Sequence, residues 1–244
     1  AAAFYLAAVK AAPQIEAVPL DLRDELAHAQ SMCDRYAGQF DSFLQRQLIE
    51  SGLDEGPSSR RFRQSLDILA GRKAPYFQEP RYYFFPELPQ IQFYDRGVFP
   101  WLASVEAQTA AIRAELIEIL NDDATTFKPY VQSNPHQPPN QAGGMLNNPD
   151  WSAFYLWKNG EVVAENAARC PNTMRAIADV PLARMSNRSP SILFSLLRPG
   201  ARIPPHTGFV NTRLICHLPL IVPKGCYFRV GNEVRPWVEG EAWL

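Results

Sequence analysis

Two of the chain's four histidines, His206 and His217, stand close together with Arg213 between them and Ser195 a short way upstream. A neutral imidazole can ligate a metal ion or donate a hydrogen bond. A guanidinium can fork onto a carboxylate, and a hydroxyl can bond a carboxylate oxygen without adding charge. The sequence thus places a histidine, an arginine and a serine on or near short segments that could share one interior. The other two histidines read differently. His28 lies in a helical segment as a solvated or packing residue, and His136, between Pro135 and Gln137, reads as a loop residue.

The segments around these residues are short and apolar. Read with period two, Asn211, Arg213, Ile215 and His217 face one way and Thr212, Leu214, Cys216 and Leu218 the other, as in a strand lining a polar cavity. Ser191 to Leu197, Cys226 to Val230 and Val234 to Val238 are further apolar runs, closed by Pro199-Gly200, Gly231-Asn232 and Glu239-Gly240. Trp151 to Trp157, followed by a turn at Asn159-Gly160, opens the β region. Short strands punctuated in this way predict a small antiparallel barrel or double-sheet jelly roll.

An ordered set of motifs then carries a resemblance. Pro205-His206-Thr207-Gly208, Asn211-x-Arg213-Leu214-x-x-His217-Leu218-x-Leu220, Val222-Pro223-x-Gly225-Cys226 and Trp237-x-Glu239-Gly240 follow one another over about forty residues. Trp151-Ser-Ala-Phe-Tyr-Leu-Trp, Cys170-Pro-x-Thr173 and Phe99-Pro-Trp101-Leu-x-x-x-Glu106 extend the match over roughly residues 82–244. This resembles the aspartyl/asparaginyl β-hydroxylase family of Fe(II)- and 2-oxoglutarate-dependent oxygenases. The resemblance implies an α+β chain whose catalytic part is a double-stranded β-helix of the jelly-roll, cupin-like kind. It implies an iron ligand at His206, cosubstrate contacts at Ser195 and His217, and a substrate or cosubstrate carboxylate at Arg213. The implied reaction consumes O₂ and 2-oxoglutarate, releases succinate and CO₂, and hydroxylates a peptide or protein side chain of Asp/Asn type. Bacterial relatives imply an alternative, hydroxylation of a lipid acyl chain. A non-catalytic binding module with a partner-recruiting helical region is a third reading.

The chain departs from the usual iron-oxygenase pattern at three points. The residue two after the first histidine, commonly a carboxylate ligand, is Gly208; the resembled family has His-x-Gly here and manages with two histidines. Animal members carry a second arginine where this chain has Ile215, which bears on the aspartyl preference. The family's second iron-ligating histidine and an arginine for 2-oxoglutarate would follow Leu244. On that ground the chain is expected to be a fragment, weakly active or inert as it stands, with activity belonging to the intact protein.

Composition narrows the classes. A net charge of −1 leaves no basic excess to replace phosphate counterions, so a nucleic-acid partner is not expected. No apolar run approaches the roughly 20 residues of a membrane span, and no signal peptide is visible; the expected location is cytoplasmic. The 22 prolines suit a loop-rich β protein. Cys33, Cys170, Cys216 and Cys226 lack the CxxC spacing of a zinc or dithiol site, and buried free thiols are expected rather than a Cys216–Cys226 bridge.

Three regions are expected: a helical segment over 1–72, a connector, helix and long loop over 73–150, and the β-hydroxylase-like region over 151–244. Ala1 to Pro13 reads as the end of a helix with a faint likeness to a tetratricopeptide repeat, and Leu20 to Gly52 as a long amphipathic helix. Arg61 to Leu69, ended by Gly71, is a shorter one; these helices are a possible protein-partner surface. Tyr76 to Pro89 is an aromatic, proline-rich connector expected to lie extended along the catalytic region. Trp101 to Asn121 reads as one helix with Glu106, Arg113, Glu115 and Glu118 on its wet face. Thr125 to Pro149 is a long polar loop, with a substrate-facing lid as one reading, and Pro171 to Ile177 a short helical turn.

Overall fold

The computed structural model describes residues 1–52, 57–123, 126–133 and 143–244, and the chain divides into two units, Ala1–Pro75 and Tyr76–Leu244.

The first unit is helical: α1 (Ala2–Ala11), α2 (Arg23–Glu50) and α3 (Pro57–Leu69). Tyr5 of α1 lies parallel to Tyr36 of α2, ring centroids 6.3 Å apart, and meets the edge of His28 at 5.9 Å. His28 is thus an exposed ring that packs on an aromatic neighbour. Gly52 and Gly71 follow the two longer helices at φ +64° and +73°, the left-handed backbone that glycine adopts without penalty. Beyond α3, Arg72 pairs with Asp67 at 2.6 Å and also with Asp41 of α2.

The second unit is α+β. Its main sheet is antiparallel and centres on β2 (Trp151–Lys158), which pairs with β1 (Lys128–Pro129), β3 (Glu161–Val162) and β4 (Ile192–Leu197). The expected turn joins β2 to β3: Asn159 and Gly160 both have positive φ, as a two-residue hairpin loop requires. On the other side β2 and β4 pair with Ala153 opposite Ser195 and Phe154 opposite Phe194. A second, two-stranded sheet joins β5 (Tyr227–Val230) to β6 (Glu233–Pro236) through Gly231-Asn232. Phe154 and Leu156 of β2, Phe194 of β4, Ile112 and Ile119, Phe127 and Cys170 form the buried core.

Four expectations change. The helix predicted from Trp101 to Asn121 is two, α4 (Leu102–Glu106) and α5 (Thr109–Asp123). Glu115 of α5 is not on a wet face: it is 5% exposed and accepts hydrogen bonds from the Asn172 and Thr173 amides and the Thr173 hydroxyl. Those donors open the short helix α7 (Pro171–Ala176), which follows α6 (Ala164–Ala168), and a carboxylate satisfies the free amides of its first turn.

The alternation over Asn211–Leu218 does not make a strand either. Asn211 spends its side chain on the Phe85 amide and carbonyl, and only His217 pairs, through an isolated bridge to Trp243. Prolines at 204, 205, 219 and 223 remove ladder donors on both sides. All four cysteines are free, but only Cys170 is buried, whereas Cys216 and Cys226 are exposed. The aromatic connector runs extended beside residues 208–211: Arg81 and Tyr82 donate to the Gly208 and Phe209 carbonyls at 2.9 and 3.1 Å.

Of the long loop, residues 124–125 and 134–142, His136 among them, lie outside the described residues. Its described ends meet through a bridge between Val131 and Leu146 and an Asn147 side chain that accepts from Ser133 N. No helix among the described residues is long and apolar enough to cross a membrane.

Candidate functional site

The first residue of β2 gathers the site. Trp151 donates its indole N–H to Ser195 Oγ at 3.1 Å, a contact set by the β2–β4 register that places Ser195 opposite Ala153. The same indole lies 5.8 Å, centroid to centroid, from the His206 ring. Its other neighbour is Tyr130, stacked at 4.2 Å and 19°, whose amide also donates to the Trp151 carbonyl at 2.9 Å. An indole nitrogen only donates, so Ser195 Oγ must accept here and its own hydrogen is left for another partner.

His206 is exposed on the segment after β4. Its Nδ1 lies 2.9 Å from the Pro204 carbonyl, which selects the tautomer carrying hydrogen on Nδ1 and leaves Nε2 with a free lone pair. A metal-binding histidine is held in the same way, one nitrogen on a carbonyl and the other outward. Pro204 is backed by Gly143: a Cβ there would lie 2.6 Å from Pro204 Cγ, and Gly143 sits at φ +56°.

Arg213 is exposed, and its charge reaches the Tyr130 phenol. Burial pushes that phenol above its ordinary 10.0, and the guanidinium pulls the other way. Ser195 and His206 are therefore joined through Trp151, and Arg213 lies within electrostatic reach of its stacking partner Tyr130.

His217 takes its ring contacts from a different group. Its backbone exchanges hydrogen bonds of 2.8 and 3.0 Å with Trp243, and its ring faces Phe228 at 5.2 Å and Trp237 at 5.9 Å. Trp237 stacks on Trp243 at 4.3 Å. Burial lowers the His217 pKa below its ordinary 6.5, against a smaller opposing effect of the Ile215 backbone, so the ring is neutral at pH 7. An open depression of ≈ 470 Å³, lined by Val222, Cys226, Tyr227, Trp237 and Glu239 among others, lies on this side and includes none of Ser195, His206 or Arg213.

Among the described residues, no three His, Cys, Asp or Glu side chains are grouped so that they could hold a metal ion. His206 fits the role of one imidazole ligand; the described residues do not complete an iron site around it.

The sequence pattern missed Trp151 and Tyr130 as site residues. Trp151 stands in a strand-like apolar run and reads as core; Tyr130 stands in a proline-rich loop. The proximity of Trp151 to Ser195 arises from pairing across 44 positions, which no local spacing reports, and Tyr130 joins the site only through Trp151.

Comparison with known proteins follows the same residues. The profile of the family described as aspartyl/asparaginyl beta-hydroxylase matches residues 106–244. The chain is 29% identical over 170 residues to human aspartate beta-hydroxylase domain-containing protein 2, covering 70% of this chain and 44% of that one. It is 32% identical over 156 residues to the ornithine lipid ester-linked acyl 2-hydroxylase of Rhizobium tropici, covering 62% and 50%. Against mouse aspartyl/asparaginyl beta-hydroxylase the identity is 29% over 196 residues, covering 80% and 23%. The chain thus spans half or less of the length of these curated relatives.

Proposed function

The chain belongs to the aspartyl/asparaginyl beta-hydroxylase family, and from that premise we propose that it is part of an Fe(II)- and 2-oxoglutarate-dependent oxygenase that hydroxylates a peptide or protein side chain. Its catalytic region adopts a double-stranded β-helix, in the cytoplasm, with the N-terminal helices available to a protein partner. His206 gives the metal an imidazole through Nε2. Ser195, its hydrogen freed by the Trp151 donor, binds a carboxylate oxygen of 2-oxoglutarate, and neutral His217 supplies a second hydrogen bond to the cosubstrate. Arg213 pairs with a carboxylate of substrate or cosubstrate. Iron with 2-oxoglutarate and O₂ supplies the oxidising power for C–H hydroxylation, and these side chains supply position and hydrogen bonds.

The observation that carries this reading is Trp151 touching both Ser195 and His206. The test is succinate release and oxygen incorporation into Asp- and Asn-containing peptides by the native-length protein with Fe(II), 2-oxoglutarate and O₂. Turnover lost in His206→Ala supports the reading; no turnover from the native-length protein under any of these conditions, or full turnover by His206→Ala, overturns it.

A second reading, acyl-chain hydroxylation, draws on one feature. Tyr82, Tyr83, Phe84 and Phe85 of the connector and Phe209, three residues after His206, are exposed aromatics on two segments hydrogen-bonded to each other. Such an apolar bank beside the site suits a lipid tail as well as an apolar peptide, and ornithine-lipid substrates in the same assay separate the two.

A further inference from the structure

Tyr130 belongs to none of the motifs that point to the site, yet it is the residue packed most closely on Trp151. Its ring covers one side of the indole at 4.2 Å and 19°, while the indole meets the His206 ring at 5.8 Å and reaches Ser195 with its edge nitrogen. Its backbone is fixed to the same residue by the Tyr130 N–H···O=C Trp151 bond of 2.9 Å, and β1, which immediately precedes it, pairs with Ala153 and Ser152 of β2. The backbones of the stacking partner and of the indole are therefore anchored in one ladder, and the two rings pack face to face from it. An indole is free to turn about its side-chain torsions unless packing fixes it. Parallel stacking leaves the N–H in the ring plane, where it meets Ser195 Oγ.

We propose that Tyr130 is a positioning residue for cosubstrate binding. It holds the Trp151 indole so that Nε1–H donates to Ser195, which directs the Ser195 hydrogen outward to the carboxylate of 2-oxoglutarate. The ring carries this role, not the hydroxyl, which makes no hydrogen bond to any described residue. The inference rests on the reading that Ser195 contacts the cosubstrate, and the experiment separates the two.

The test is calorimetric titration of 2-oxoglutarate onto the native-length protein loaded with redox-inert Mn(II), which reads affinity without turnover. Ser195→Ala weakens binding by about 5- to 10-fold through loss of one hydrogen bond. Tyr130→Phe, which keeps the ring, stays within about 2-fold of wild type, and Tyr130→Leu weakens binding by about 3- to 10-fold. Because both act through one hydroxyl, Tyr130→Leu combined with Ser195→Ala is no weaker than Ser195→Ala alone by more than about 2-fold. Wild-type affinity in Tyr130→Leu, an equal loss in Tyr130→Phe, or multiplied losses in the double variant overturn the positioning role. An unchanged affinity in Ser195→Ala instead overturns the reading on which it rests. If circular dichroism shows Tyr130→Leu unfolded, Tyr130→Met, which fills the volume without a planar ring, takes its place with the same outcomes.

Discussion

Replacing Glu115 with glutamine should destabilise the β unit out of proportion to the change of one atom. The wild-type carboxylate is buried and accepts from Asn172 N at 2.6 Å, Thr173 N at 2.9 Å and Thr173 Oγ1 at 2.6 Å. Its two oxygens divide these donors, Oε1 taking the Asn172 amide and Oε2 both Thr173 groups. A glutamine keeps one oxygen and turns an NH₂ toward whichever amide the other oxygen served, so the half-buried Asn172 N–H or the buried Thr173 N–H loses its acceptor. Each buried donor left unpaired costs about 1–3 kcal/mol, and the loss of charge assistance weakens the bonds that remain. The sum is about 2 kcal/mol or more for Glu115→Gln and more for Glu115→Ala, which abandons all three donors. For a unit of this size, about 2 kcal/mol lowers Tm by roughly 4–8 °C. Differential scanning calorimetry measures it, and hydrogen exchange at the Asn172 and Thr173 amides localises it. A Glu115→Gln variant melting within about 1 °C of wild type, with those amides still protected, would refute the reasoning.

Two further outcomes follow from the geometry. Gly143→Ala introduces a Cβ 2.6 Å from Pro204 Cγ at φ +56°, so Pro204 must move and the carbonyl that orients His206 moves with it; stability falls by about 1–2 kcal/mol, and the His206 ring resonances shift in NMR spectra, whereas unchanged resonances contradict the contact. His217 has a lowered folded pKa, so its contribution to stability is complete above its ordinary 6.5 and declines as pH falls below that value. Thermal melts between about pH 8 and 5 should show this slope in wild type and a smaller one in His217→Gln; equal slopes in both would remove His217 as the source.

The local parts of this fold were legible because their signals are local. Gly52, Gly71, Asn159-Gly160 and Gly231 close their elements where expected, each at positive φ. The β4 and β5 strands lie within the apolar runs read as strands, and β6 overlaps the third but starts one residue before Val234. What failed was decided at a distance. Glu115 sits at a helix position that reads as wet, and only α7, folded back from 57 and 58 positions away, makes it a buried cap. The alternation from Asn211 to His217 matches a strand, but the side chain of Asn211 is drawn off by Phe85, 126 positions earlier, and flanking prolines leave too few amides for a ladder. The site divided in the same way. His206 and Ser195 could be named from motif, while Trp151, which joins them, acts through a pairing register rather than a spacing.

The most direct measurement is the anaerobic visible spectrum of the native-length protein with Fe(II) and 2-oxoglutarate, which reports the charge-transfer absorption of an iron-bound 2-oxo acid. A band present in wild type, absent in His206→Ala and formed only at higher 2-oxoglutarate in Ser195→Ala agrees with an imidazole and a hydroxyl serving one cosubstrate across the Trp151 ring. A band of full intensity in His206→Ala would contradict it.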